Sequence, residues 1–208
     1  MHNKSADTPA AVVWMERWRK VARRIRVPLG FVAAAVYCWR LATSAPHPLA
    51  IVGSLVLVVP GLWLRGYAAG YVKKNQELTQ TGPYAWTRNP LYLGSMLMAA
   101  GFAVALADLL FTILLLAGFI VIYVPVIVSE EAFLRRTFAD YDAYCRRVPR
   151  LLPRLRRPLT GITRSSQSEG RFSLDLYRKH REYRSLLGVG LLYAGLVAAY
   201  FAHLRWLR

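Results

Sequence analysis

The sequence predicts an all-α integral membrane protein of about five transmembrane helices. Three observations carry that expectation. Hydrophobic residues make up 55% of 208 positions, too many for an ordinary soluble fold of one-domain size. Several apolar runs approach the roughly 20 residues a helix needs to cross hydrocarbon, where every backbone polar group must be satisfied internally. The basic residues, finally, are sorted by position relative to those runs.

Taken in order, residues 1–27 read as a cytosolic basic amphipathic N-terminus. Trp14, Trp18, Val21 and Ile25 recur at helical spacing among Arg17, Arg19, Lys20, Arg23, Arg24 and Arg26. That pattern suits a helix on an anionic leaflet or a positive-inside anchor. No early apolar run with a small-residue cleavage pattern precedes the first span, so that span is expected to stay in the mature protein. Spans are expected over Pro28–Thr43, Pro48 to about Tyr71, Leu91–Ala107, Leu109–Val128 and Leu186–Leu204. Pro60 and Pro125 fall inside spans two and four, where each removes a backbone hydrogen bond. Residues 28–153 thus form a transmembrane core. Residues 154–185, with Pro158, Gly161, Ser165, Ser166, Ser168 and Gly170, read as a basic cytosolic linker, and 186–208 as the fifth transmembrane helix.

The formal charge of +17 raises the possibility of nucleic acid, but its distribution excludes that class. Of 28 Lys and Arg, seven precede span one, four lie between Arg65 and Arg88, and fourteen between Arg135 and Arg184. Arg40 lies in span one, where it is expected to snorkel to the outer end, and Arg205 and Arg208 follow span five. The positive-inside rule then places the N-terminus and the 65–90 and 129–185 segments in the cytosol. Cys38 and Cys145 make no metal-ligand or disulfide spacing, so both read as structural and no metal site is expected.

Spans three and four are joined near Asp108 and are expected to form a tight antiparallel hairpin. Arg88 lies twenty residues before Asp108 and Glu130 twenty-two after it, so both are about 30 Å from the turn. Thr87-Arg88-Asn89-Pro90-Leu91-Tyr92 therefore faces Ser129-Glu130-Glu131 at one membrane boundary. The plainer readings are an Asn89 N-cap with Pro90 at the first helical position, and an acidic pair facing Arg135 and Arg136 on a solvated helix.

The string Gly82-Pro83-Tyr84-Ala85-Trp86-Thr87-Arg88-Asn89-Pro90-Leu91-Tyr92-Leu93-Gly94 resembles the signature of the isoprenylcysteine carboxyl methyltransferases and the related phospholipid methyltransferases. A second block resembles their closing pattern: Glu130-Glu131-Ala132-Phe133-Leu134, then Phe138, Tyr141, Tyr144 and Arg147-Val148-Pro149. Together the blocks cover about residues 65 to 153. The resemblance implies a prokaryotic-type membrane methyltransferase of the bacterial inner membrane, with a cytosolic catalytic face that uses S-adenosyl-L-methionine on a membrane lipid or amphiphile. It implies cofactor contacts from Gln76, Glu77, Leu78 and Thr79, and from Tyr84 at the adenosine. Asn89, Pro90, Leu91 and Tyr92 would contact the cofactor where the family usually shows His-Pro-x-Tyr. Glu130 of the acidic pair with Glu131 would meet the ammonium or ribose end, and Arg88 would act at the catalytic centre by fixing the loop or an anionic group.

The chemistry suits these residues, because displacement at a sulfonium needs orientation and desolvation more than proton transfer. Tyr84, Trp86 and Tyr92 offer faces to a cation, and the carboxylates suit an amino group. Asn89 stands where eukaryotic members carry His. Val126 or Ile127 stands where they carry an arginine of the prenylcysteine site, which argues against a prenylated protein as substrate. Two other classes compete: a sterol-reductase-like membrane oxidoreductase that binds NADPH, and a non-enzymatic accessory membrane protein.

Overall fold

The computed structural model describes residues 10–43, 46–73, 77–153 and 171–206, and no strand occurs among them. The first helix, α1, runs unbroken over Ala10–Thr43 with Pro28 inside it, so the basic N-terminal stretch and span one are a single element. The side chains of Trp14, Trp18 and Ile25 lie outside the described set. There follow α2 (Pro48–Ala69), a 3-10 turn at Gly82–Ala85, α3 (Pro90–Leu106) and α4 (Leu109–Thr137). Two short helices, α5 (Tyr141–Arg147) and α6 (Leu174–Lys179), precede the last, α7 (Tyr183–Trp206).

Among the described residues, three helical stretches are long and apolar enough to cross a membrane: Pro48–Ala69, Leu109–Thr137 and Tyr183–Arg205. Gly30–Thr43 and Pro90–Leu106 are apolar but shorter, so five apolar helical segments stand where spans are expected. Outward-facing side chains on these helices are apolar, among them Phe31, Val56, Leu114 and Leu191, as a lipid-facing surface requires. The chain is thus an all-α membrane protein.

One expectation needs correction. The α3–α4 connection is short, with Ala107 in the left-handed conformation at φ 52° and the Asp108 carboxylate accepting from the Phe111 N–H at 2.7 Å. Yet α3 packs chiefly on α2, and α4 chiefly on α1. The cause is local: a Cβ at Gly94 would lie 2.6 Å from the Gly61 carbonyl oxygen, so glycines on facing helices let the two backbones approach. Helices α3 and α4 still meet at the mouth, where the Tyr92 and Tyr123 rings stand edge to face at 5.5 Å.

The inner packing of the bundle gathers Tyr37, Val58, Phe102, Leu106, Phe111 and Leu196 from α1, α2, α3, α4 and α7. The Ser54 and Tyr193 hydroxyls bond at 2.6 Å and tie α7 to α2. Arg40 does more than snorkel, since its guanidinium pairs with Asp108 across the α3–α4 turn. Of the segment expected as linker, 154–170 lies outside the described residues, while 171–185 forms α6 and the turn into α7, docked on the end of α2. There the Ser173 N–H donates to the Gly70 carbonyl at 2.9 Å.

Candidate functional site

The two sequence blocks are bound to each other by their main chains. The Arg88 N–H donates to the Pro149 carbonyl at 2.9 Å. The Arg150 carbonyl accepts from Asn89 Nδ2 at 3.0 Å and from the Thr87 hydroxyl at 3.2 Å. Asn89 does precede α3, with Pro90 at its start, but its side chain makes no cap bond and turns to Arg150 instead. Buried backbone acceptors must find donors, so this buried amide holds the strap 148–150 against the start of α3.

Beneath that strap the acidic pair divides. Glu131 is buried, and its carboxylate receives Arg150 at 2.9 and 2.6 Å and Arg88 at 3.2 Å. A buried carboxylate without partners would be costly, and two guanidiniums make this one tenable. Glu130, half-buried, enters no ion pair among the described residues. It lies close enough to Tyr84 to act on that phenol. Arg88 also reaches Cys145 Sγ at 2.8 Å, while its Nε is buried with no partner among the described residues.

The tyrosines form the floor. Tyr84 is buried on the 3-10 turn, and its carbonyl accepts the Tyr144 hydroxyl at 2.7 Å. Burial pushes the Tyr84 phenol up, with Tyr144, Glu130, Tyr92 and Glu182 adding to the shift in that order. Tyr141 and Tyr144 are raised likewise, first by burial, so all three phenols stay neutral hydrogen-bonding groups. Gly82 enters this turn at φ 59°, with the Tyr71 ring where a side chain would go.

Of the sequence-predicted residues, Tyr84, Arg88, Asn89, Pro90, Glu130 and Glu131 gather at this boundary. Tyr92 lies one turn along, packed on Tyr123 beside Ile122 and Val126. Leu91 sits between them, half-buried. Leu78 packs on the Tyr141 and Tyr144 cluster, the Thr79 hydroxyl accepts the Lys73 N–H at 3.5 Å, and Glu77 is exposed and paired with Lys73. Gln76 lies outside the described residues. Sequence reasoning missed Arg150, one residue past the quoted block, and Thr87 as an internal donor. It counted Arg65 among the charges of the 65–90 segment although the expected span two, Pro48 to about Tyr71, also contains it; Arg65 lies inside α2 and holds Glu182 at 2.8 Å.

The donor set suits a cationic, partly aromatic ligand: a carboxylate outside any ion pair among the described residues, tyrosine rings, and one guanidinium N–H without a partner among them for an anionic group. S-adenosylmethionine, which carries a sulfonium, an ammonium, a carboxylate and an adenine, fits that set.

Residues 48–141 match the phospholipid methyltransferase family. Two curated relatives are a nickel-cobalt-cadmium resistance protein of Alcaligenes xylosoxydans xylosoxydans and a cobalt-zinc-cadmium resistance protein of Cupriavidus metallidurans. The first is 34% identical over 54% of this chain and 52% of its own length. The second is 35% identical over 51% of this chain and 49% of its own. The chain thus spans about half the length of the curated relatives it matches. No solved structure matches it. Residues 48–141, which hold α2 to α4, the first sequence block and the start of the second, are thus similar to the phospholipid methyltransferase family.

Proposed function

We propose that this protein is an S-adenosylmethionine-dependent methyltransferase whose acceptor is a lipid-like amphiphile reacting at the cytosolic boundary of the membrane. The observation that carries the reading is the division of the acidic pair. Arg88 and Arg150 lock Glu131 into the fold, while Glu130 keeps its charge out of any ion pair among the described residues, beside a buried tyrosine in the family signature.

In this reading Glu130 holds the amino end of the cofactor, and Tyr84, Asn89, Pro90, Leu91 and Tyr92 line its pocket. Glu77, Leu78 and Thr79 border the same pocket, and Glu131 anchors its wall. Arg88 fixes the loop and offers its Nε–H to an anionic group. When bound, the cofactor supplies an activated methyl group on sulfur. The residues themselves orient the two reactants and exclude water, which an in-line displacement requires. No side chain needs to move a proton except to accept one from the acceptor. A site at the edge of hydrocarbon favours an acceptor delivered by the bilayer, with the N-terminus in the cytosol.

The names of the two relatives support a second reading, in which this chain also serves resistance to metal ions. Among the described residues no three His, Cys, Asp or Glu side chains gather as ligands for a metal ion. The part proposed for this chain in such resistance, resting on the methyl-transfer reading, is methylation of a membrane component.

Calorimetric titration of the purified protein with S-adenosylmethionine and with NADPH tests the reading, since the sterol-reductase alternative expects the opposite preference. Membranes incubated with methyl-labelled cofactor should then carry label into the organic phase. Label confined to water-soluble small molecules would exclude a lipid acceptor.

A further inference from the structure

Arg65 is the only Lys or Arg between Pro48 and Val72, and none occurs from Pro90 to Leu134. An ionisable residue inside a span is expensive and marks a binding or transport function more often than a structural one. Its side chain leaves α2 beside Gly94, where a Cβ would lie 2.6 Å from Arg65 Cγ, and donates to the Ser95 hydroxyl on α3. Arg65 Nε and Nη2 grip the Glu182 carboxylate in a fork, at 3.1, 2.8 and 3.0 Å. That planar, two-toothed geometry suits a carboxylate or a phosphate equally.

Glu182 reaches this place from outside the family-matched segment, on the turn between α6 and α7, whose neighbour Arg181 has φ 56°. Its carboxylate also accepts the Ser185 hydroxyl at 3.1 Å. The Ser95 hydroxyl that Arg65 reaches donates in turn to the Leu91 carbonyl at 3.0 Å, so the Arg65 fork stands one turn along α3 from the signature residues of the proposed cofactor site. Two residues either side of Arg65, and so on the opposite face of α2, Trp63 stacks on Tyr67 at 5.0 Å and Tyr67 on Phe172 at 6.1 Å, aromatic groups suited to the boundary between acyl chains and head groups.

We propose that Arg65 is the anion-recognition group of the acceptor site, and that the Glu182 carboxylate occupies the place a carboxylate or phosphate of a membrane amphiphile takes on binding. This deepens the methyl-transfer reading and rests on it for the identity of the acceptor. Glu182 is then an internal competitor that keeps the arginine paired until an anionic head group arrives. Uncharged amphiphiles lack the group that exchanges with it.

The test uses the full chain in non-ionic maltoside micelles, titrated calorimetrically with oleate, with dodecyl phosphate and with uncharged dodecanol. Wild-type protein should prefer one or both anions to dodecanol, and the preferred anion tells carboxylate from phosphate. Arg65→Gln should weaken that anion roughly ten- to a hundredfold, as loss of a charge-assisted contact does. Glu182→Gln should tighten it, because the competitor loses its charge. Should Arg65→Gln not fold, Glu182→Gln alone carries the sign, and Arg65→Lys, which keeps charge but loses the fork, should fall between. Weakening by both variants, no response to either, or no preference over dodecanol would overturn the assignment and leave a plain structural clasp. S-adenosylmethionine binding is measured on the same samples. Its loss in wild-type protein counts against the methyl-transfer reading, whereas normal cofactor binding with same-sign anion effects counts against Arg65 only.

Discussion

Glu130 and Glu131 are neighbours in the chain with different partners: Arg150 and Arg88 close on Glu131 at 2.6 and 3.2 Å, and no ion pair among the described residues claims Glu130. Successive helical positions point about 100° apart, so one can face the strap while the other faces the mouth. Glu131→Gln should therefore act on the fold. It removes the charge shared by two guanidiniums, one of them on the half-exposed Arg150, and should cost about 1–3 kcal/mol. Thermal unfolding in detergent measures this. A melting temperature equal to that of wild type would show that the two arginines do not depend on the charge.

The α2–α3 contact should be intolerant of a single methyl group. In Gly94→Ala the new Cβ would meet the Gly61 carbonyl oxygen and Arg65 Cγ, both at 2.6 Å, and overpacking of that kind costs about 1–3 kcal/mol. Gly118→Ala on α4 is the control, since nothing lies within 4 Å of its added methyl. That variant should be as stable as wild type or slightly more so, because alanine is the better helix former. Equal destabilisation by both would mean that the close approach of α2 and α3 is not what the glycine serves.

At the α3–α4 turn, the Asp108 carboxyl is held below its ordinary range, first by the Phe111 N–H and then by Arg40. A carboxylate whose folded value is depressed adds stability above its unfolded value, and that contribution disappears as pH falls through the folded one. Asp108→Asn should thus lower the melting temperature at neutral pH, with the gap to wild type closing in acid below the usual carboxylate range. A gap independent of pH would assign the effect to the cap's shape alone.

Topology follows from the charge distribution: tags on the N-terminus should be reached only from the cytosolic side, and tags on the C-terminus only from the other. Protease protection in sealed vesicles reads this out. Protection of both ends on one side would remove one of the shorter apolar helices, Gly30–Thr43 or Pro90–Leu106, from the count of spans.

Much of this was legible in the sequence, because apolar runs, prolines and asymmetric arginines act locally. The convergence of Arg88 with the acidic pair followed from counting residues on either side of Asp108, and the 3.2 Å contact to Glu131 agrees. Partner choice between helices was less legible. Every face of a membrane helix is apolar, so hydropathy does not say which face packs, and the small residues Gly61, Gly94 and Gly101 carried the signal for α2 on α3. The roles within Glu130-Glu131 and the turn of Asn89 away from its cap depend on Arg150, whose carbonyl and guanidinium serve both blocks through a fold-level contact. Arg65 was legible as the lone cation in its apolar run, and its partner Glu182 was not, because that contact joins distant parts of the chain.

The claim that Glu130 holds the cofactor is tested most directly by calorimetric titration of Glu130→Gln with S-adenosylmethionine, with Tyr92→Phe alongside. Loss of one charge-assisted hydrogen bond costs about 1.5–3 kcal/mol, so Glu130→Gln should bind roughly ten- to a hundredfold more weakly while melting as wild type does. Affinity unchanged in both variants would contradict the account and move the cofactor away from the mouth between α3 and α4.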